Sequence, residues 1–399
     1  MKKQILFVIL ALFLVSLNLR ISVASISPVL ENIRNDLELS NGMVSLLTSI
    51  PVICMGFFAF FSTSISIRFG LEKTIAACLL LIGLATAFRA FTNSVMTLLL
   101  TAFLIGIGIA IAGPLVSGYI KQKFPNRIGM MIGVYSVGMG IGASLSAGLM
   151  IPLQKQLNDS WQLALASWSI FAVIGFLFWY PIMKKSGFVK SSTKTAIQMP
   201  LKNKKVWLFT LIFGLQAGIF YCISTWLAPI AQSMDFSGEQ SGTLITLFTI
   251  IQMIFSFLIP SLADVYKNDK AWLMGSTLFV LIGLFCIVFD IVNPWLATIL
   301  IGIGLGGLFP LALALPLNAV SSSSEASSWT SMMQGFGYML GGVIPVIAGL
   351  TRDYISYEKQ VFVLMIVLCM VLFIALIGWK EKKVNNKWII AQDSEQEVN

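Results

Sequence analysis

The chain has 399 residues, of which 57% are hydrophobic and only 11% charged, against roughly 25% charged in an average soluble domain. A soluble domain cannot hide that much apolar surface, so the composition excludes a water-soluble globular protein and places the chain in a membrane. The net charge of +9 is then a question of where the lysines and arginines sit, and the absence of histidine removes the commonest metal ligand and the usual proton shuttle near neutral pH.

The first element begins at once. MKKQ precedes an apolar run too long for a signal-peptide core of roughly 7–15 residues, with no A-x-A-like cleavage site, so it reads as a retained first span. Taking about 20 apolar residues per crossing, the first six predicted spans are 5–30, 43–67, 74–92, 96–119, 128–152 and 161–183. A lysine-rich polar stretch at 184–205 follows, read as a cytoplasmic linker. The second six are 206–232, 240–263, 271–291, 294–319, 327–350 and 361–379, before a polar tail at 380–399. The expectation is an all-α integral membrane protein of two six-helix halves, 1–183 and 206–379. Cys54, Cys78, Cys222, Cys286 and Cys369 all lie in apolar runs without a CxxC pair and read as core residues.

Orientation follows from loop charges. With the N-terminus inside, twenty lysines and arginines fall on inner segments and five on outer loops (Arg34, Arg89, Lys155, Arg352 and Lys359). The bias puts both termini in the cytoplasm and explains the basic composition without nucleic acid.

The halves repeat each other. IGIGIAIAGP at 105–114 matches IGIGLGGLFP at 301–310, RISVASISP ending at Pro28 matches YCISTWLAP ending at Pro229, and TSISIRFG at 63–70 matches PSLADVYK at 260–267. The offsets of 196, 201 and 197 are nearly one number. Parallel six-helix repeats are a transporter architecture with the substrate site near the midplane between the repeats.

On these features the chain resembles the major facilitator superfamily over essentially its whole length. The superfamily's loop motif after the second span, G-x-L-a-D-R-x-G-R-K, survives in pieces: Arg68, Gly70 and Lys73 in the first copy, Leu262, Ala263 and Asp264 in the second. Ile67 stands where the motif has the aspartate that helps hold the cytoplasmic gate. GVYSVGMGIGASLSAG at 133–148 only loosely resembles the antiporter motif of drug exporters. Asn18-Leu19-Arg20 with Ser27-Pro28, Gly214-Leu215-Gln216 with Tyr221 and Trp226, Gln334-Gly335 with Tyr338, and Gly349-Leu350 with Asp353 resemble the cyanate/nitroimidazole branch. The resemblance implies a twelve-helix carrier, monomeric by family default, with bound lipid around it.

Arg20 is the sharpest candidate. It lies roughly 22 Å along a helix starting at Ile5, between the midplane and the outer third of the bilayer. A lipid-facing arginine there costs a few kcal/mol or more, and the guanidinium stays charged when buried. Three arrangements answer the problem: a fork binding a substrate oxyanion or carboxylate through two hydrogen bonds, a structural tie to a neighbouring helix, or a side chain snorkelling outward toward Glu31. The serines favour the first. Ser16 and Ser27 share Arg20's face, while Asn18, Ser22 and Ser25 form a stripe roughly opposite, either lining a cavity or packing a helix seam.

Tyr221 is the repeat partner of Arg20, with Gln216 five residues before it and Trp226 five after. A tyrosine hydroxyl can bond a small anion and an indole can wall it, or both can simply pack between helices. Gln334 and Tyr338 share a face of the eleventh span. The substrate candidates are therefore Arg20, Asn18, Gln216, Tyr221, Trp226, Gln334 and Tyr338, with Gln252, Asn318, Ser117 and Tyr135 weaker. Pro114 and Pro310, after equivalent glycine-rich runs, read as hinges, and Arg68 and Asp264 as gate residues.

Missing chemistry narrows the class. No acid sits deep in a span, so no proton relay is evident. No P-loop, nucleophile–base pair or metal cluster appears, so no enzyme activity, cofactor or metal is expected. The leading expectation is a secondary or facilitative carrier of a small anion, cyanate-like or another small oxyanion or carboxylate, in the plasma membrane. The alternative keeps the fold and exports neutral nitroimidazole-like or other small aromatic compounds past Trp226, Phe220 and Tyr338. A non-transporting receptor or enzyme has no appended domain in the sequence to support it.

Overall fold

A computed structural model of the chain describes residues 2–124, 128–185, 200–266, 268–320, 323–355 and 357–379. All regular structure among them is helical. Twelve stretches are long and apolar enough to cross a membrane: Ile5–Asp36, Asn41–Ser62, Leu71–Phe91, Val95–Ile120, Met131–Gln156 and Trp161–Lys184, then Lys204–Ser233, Gly238–Ala263, Asp269–Val288, Pro294–Pro316, Ser328–Tyr354 and Gln360–Gly378. Each predicted span has its counterpart. Residues 186–199 of the predicted linker and the tail from 380 lie outside the described residues.

The first span runs past its predicted end at Leu30. Its helix Lys2–Ala24 stops, Ser27–Val29 makes one 3-10 turn, and Leu30–Asp36 resumes as helix. Pro28 opens the second piece, where a missing N–H costs nothing. Pro114 and Pro310, read as hinges, do not end their helices: Val95–Lys123 and Pro294–Ala319 each run through them. Membrane helices tolerate an interior proline where neighbouring groups can take up the freed carbonyl.

Packing repeats with a shift of six spans. The first packs on the fifth and sixth as the seventh packs on the eleventh and twelfth; the fourth packs on the second and third as the tenth packs on the eighth and ninth. Two seams join the first six spans to the last six, second against eleventh and fifth against eighth. Backbones approach closely in both settings. At Gly335 the Phe60 ring occupies the space a Cβ would need, and at Gly142 a Cβ would meet the Leu17 carbonyl. A glycine at each point is what lets the helices meet.

Alternate ends of the bundle differ. We call the end where the first span begins the termini face and the opposite end the far face. Toward the far face the Asp353 carboxylate accepts from Asn41 N at 2.7 Å, Asn41 Nδ2 at 2.9 Å and Gly42 N at 2.9 Å. It thus caps the start of the second span, where the helix dipole favours an anion. Arg352 pairs with Glu31 at 3.4 Å and lies over the Trp226 ring at 5.2 Å. Gln232 donates to the Pro28 carbonyl at 3.2 Å, and Lys155 pairs with Glu239 at 2.6 Å. All these contacts join the first six spans to the last six, except the Arg352–Trp226 contact, so the two halves are held together at the far face.

Candidate functional site

The site is assembled from spans far apart in sequence. Arg20 projects from the first span's helix, half-buried, toward the seventh. Its guanidinium carbon lies 5.3 Å from the Phe220 ring centroid and 5.7 Å from that of Tyr221. The two rings meet edge to face at 5.1 Å. Tyr338 of the eleventh span approaches Tyr221 at 6.5 Å and Phe213 at 5.1 Å. Phe248 of the eighth backs Phe220 at 6.0 Å. The Tyr221 hydroxyl donates to the Met55 sulfur at 3.7 Å, which fixes the ring from the second span.

Tyr135 of the fifth span completes the ring of phenols. It lies within electrostatic reach of both Arg20 and Tyr221, and its hydroxyl is 3.7 Å from where a Cβ on Gly113 would stand. Tyr338 likewise feels the charge of Arg20 and the phenols of Tyr221 and Tyr135. Side chains of six spans thus gather in one cluster beside one cation.

The electrostatics are unbalanced. Among the described residues no hydrogen bond or ion pair engages the Arg20 guanidinium; its contacts are the two π faces. A cation–π contact contributes about 0.5–2 kcal/mol and uses none of the fork's hydrogen-bond donors. The fork's five N–H donors remain available. Of the three arrangements open in the sequence, the structure shows neither a snorkel to Glu31, which bonds Arg34 at 2.7 Å and pairs with Arg352, nor a hydrogen-bonded tie.

Gln216 stands one turn before Phe220 on the seventh span, 1% exposed, with its amide nitrogen unpartnered. Such a buried donor costs about 1–3 kcal/mol until something accepts from it. Gln334 is half-buried one turn before Tyr338.

Two expected site residues are elsewhere. Asn18 is 2% exposed and donates to Leu14 O at 2.7 Å and Phe171 O at 2.8 Å, which ties the first span to the sixth. Its stripe packs a seam because Ser22 also bonds outward from the cluster, to Thr86 at 2.9 Å. Trp226 is fully buried, its indole N–H donating to Pro345 O at 3.1 Å under the Arg352 guanidinium, so it belongs to the far-face closure. Asn318 bonds Asp269 at 2.7 Å on the exposed rim. Pro114 is exposed beside Gly113 and Pro310 half-buried. Arg68 is exposed, 5.4 Å from the Phe69 ring, and the Asp264 side chain lies outside the described residues.

Sequence reasoning undervalued Tyr135, Phe220 and Met55. The available signal was spacing: Tyr135 precedes Gly138 by three residues, and Gly138 abuts Ser16 on the face of the first span that Arg20 shares. It also misplaced Arg89. Counted as an outer-loop charge, Arg89 is 0% exposed inside the bundle because its guanidinium bonds Ser22 O at 2.7 Å and Thr101 Oγ1 at 3.3 Å.

Comparison with known proteins decides the family. The sequence matches the Major Facilitator Superfamily over residues 8–342. The chain belongs to that superfamily. Among its superfamily relatives is an uncharacterized transporter of Bacillus subtilis, YycB, 30% identical over 92% of this chain and 91% of its own. The cyanate transport protein CynX of Escherichia coli is 29% identical over 86% of this chain and 90% of its own. A 2-nitroimidazole transporter of Escherichia coli is 28% identical over 88% and 89%. Superfamily membership makes this a twelve-span membrane transporter, and the resemblance to the cyanate/nitroimidazole branch holds over most of the chain.

Proposed function

We propose that this transporter carries a small anion, an oxyanion or small carboxylate, across the plasma membrane by alternating access, with Arg20 as the anchor. The observation that carries the reading is the bare guanidinium: a cation resting on two aromatic faces, with a buried unpartnered amide on the facing span and no counter-charge among the described residues. An anion would take the fork's donors in the bidentate manner and supply the counter-charge that the neighbouring side chains do not. Tyr338, Tyr135 and Gln216 would supply the remaining hydrogen bonds, Tyr221 would keep its π face under the guanidinium, and Gln334 would line the approach. Both termini would be cytoplasmic, as the loop charges favour, and the closed far face would then be the external one. Pro114, Pro310, Arg68 and Asp264 remain candidates for the moving parts. The names of the cyanate and nitroimidazole relatives support a small, electron-rich solute. A monomer surrounded by lipid accords with the superfamily.

A second reading has one observation in its favour. Phe220, Tyr221, Tyr338 and Phe213 present π faces and edges suited to a flat neutral ring, so a nitroimidazole-like solute could stack there for export, its nitro group on Arg20.

Thermal unfolding of the detergent-solubilised protein separates the two. A ligand at a hundred times its Kd stabilises by about 2.7 kcal/mol. Of cyanate, nitrate, nitrite and acetate, those the protein carries are expected to stabilise the wild type by clearly more than Arg20→Gln. Stabilisation of both proteins by neutral nitroimidazoles, with none from anions, would transfer the conclusion to the second reading.

A further inference from the structure

The break in the first span leaves one carbonyl without its helical partner. In a continuous helix Ser22 O would accept from Ile26 N; here Ile26 N bonds Val23 O at 3.3 Å instead. Arg89, at the end of the third span, fills the place. Its Nη1 donates to Ser22 O at 2.7 Å, its Nε to Thr101 Oγ1 at 3.3 Å, and its Nη2 has no partner. The side chain is wholly buried, and no carboxylate pairs with it among the described residues.

As a plain tie between helices this is a poor choice. A guanidinium held by one carbonyl and one hydroxyl keeps much of its desolvation penalty, and an apolar side chain of the same volume would pack without it. What the arginine does that an apolar residue would not is grip the C-terminal end of one helix with a cation, where the dipole is negative. That helix carries Arg20 two residues before Ser22. The third span holds Ser22 twice, through Arg89 on its carbonyl and Thr86 on its hydroxyl at 2.9 Å. Residues two apart point to roughly opposite sides of a helix. The third span therefore clamps one side of the helix end while Arg20 leaves the other side toward Phe220 and Tyr221.

We propose that Arg89 is a positioning residue for the anion site: by clamping the broken end of the first span at Ser22 it sets the depth and rotation at which Arg20 meets the aromatic rings. The proposal rests on the reading of Arg20 as the anion anchor. It assigns Arg89 no contact with the substrate.

The test uses the full chain in detergent with nitrate and cyanate as probes, and wild type, Arg89→Gln, Arg89→Lys, Thr86→Val and Arg20→Gln side by side. Arg89→Gln is expected to raise the apparent Kd about tenfold or more, the scale of one charge-assisted hydrogen bond. Arg89→Lys, which can still donate to the carbonyl, should recover to within about threefold, and Thr86→Val, which loosens the same residue without touching any charge, should raise Kd severalfold. In proteoliposomes the loss should appear in KM with the maximal rate largely kept. A lower melting temperature for Arg89→Gln with wild-type Kd in the folded fraction would mean a purely structural role and overturn the proposal. If Arg89→Gln does not fold, Thr86→Val decides, and a wild-type Kd there overturns it. Wild-type binding by Arg20→Gln, or no saturable binding of either probe by the wild type, would instead remove the anion reading beneath it.

Discussion

The guanidinium of Arg20 lies 5.3 Å from the ring of Phe220, so the first and seventh spans, which are repeat partners in sequence, meet through a cation and a π face rather than through an ion pair. A carboxylate opposite Arg20 would have neutralised it permanently. Rings leave its hydrogen-bonding capacity free, which is why the position can serve a solute.

Replacing Arg20 tests that directly. Arg20→Gln should lose about 1.5–3 kcal/mol of anion binding, roughly one to two decades in Kd. Arg20→Lys should keep part of it, because an ammonium keeps the charge and loses the fork. Titrating nitrate against the unfolding temperature of the three proteins checks the order.

The two roles of Tyr221 separate by substitution. Tyr221→Phe keeps the ring under Arg20 and removes the hydroxyl bonded to Met55, so it should change anion affinity by a few-fold at most. Tyr221→Leu also removes the π face and should cost about 0.5–2 kcal/mol more. Equal effects of the two substitutions on nitrate binding would contradict the cation–π arrangement.

Asn18→Ala should separate packing from binding. Its amide ties the first span to the sixth through Phe171 O and also bonds Leu14 O of its own helix, so the variant should unfold with about 1–2 kcal/mol less stability and keep the wild-type Kd for anions in the folded protein. A selective loss of affinity would return Asn18 to the site.

The far face depends on Asp353. Three donors from Asn41 and Gly42 converge on its carboxylate, and Asp353→Ala leaves them unpartnered at about 1–3 kcal/mol. The expected outcome is a shift toward the state open at the far face, read as faster labelling of a cysteine placed at Thr48 by an impermeant thiol reagent. Labelling no faster than in the parent carrying only that cysteine would show that the closure does not rest on this carboxylate.

Gly335→Val should act through volume alone. A Cβ there meets the Phe60 ring, so the second and eleventh spans must part. Overpacking of this kind typically costs 1–3 kcal/mol, and transport in proteoliposomes should fall with it. Phe60→Ala in the same chain should restore part of both.

Much of the fold was legible because a twenty-residue apolar run has few alternatives in a membrane: all twelve spans were found, and errors were confined to ends such as Asp36, where a proline restarted a helix that hydropathy alone would stop. Arg20 was legible for the same reason, since one charge in such a run demands an explanation. Its surroundings were harder. Helical periodicity assigns faces, but it does not say which face looks at which neighbour, so the Asn18 stripe and the Arg20 face were indistinguishable until the fifth, sixth and seventh spans were placed. Trp226 was misjudged because distance along the seventh span from Tyr221 translates into depth, and that depth belongs to the far-face closure. Arg89 looked like a loop charge because it sits at a span's end; only the break in the neighbouring helix explains why it turns inward.

The pairing of Arg20 with rings also bears on speed. A carrier must let go as readily as it takes hold, and its turnover falls if the solute is held too well. If the solute is the anion proposed above, aromatic faces give the guanidinium a shallow resting place between cycles, from which a weakly basic anion could draw it and leave again. A protein built this way would show modest affinity and brisk exchange, trading grip for throughput.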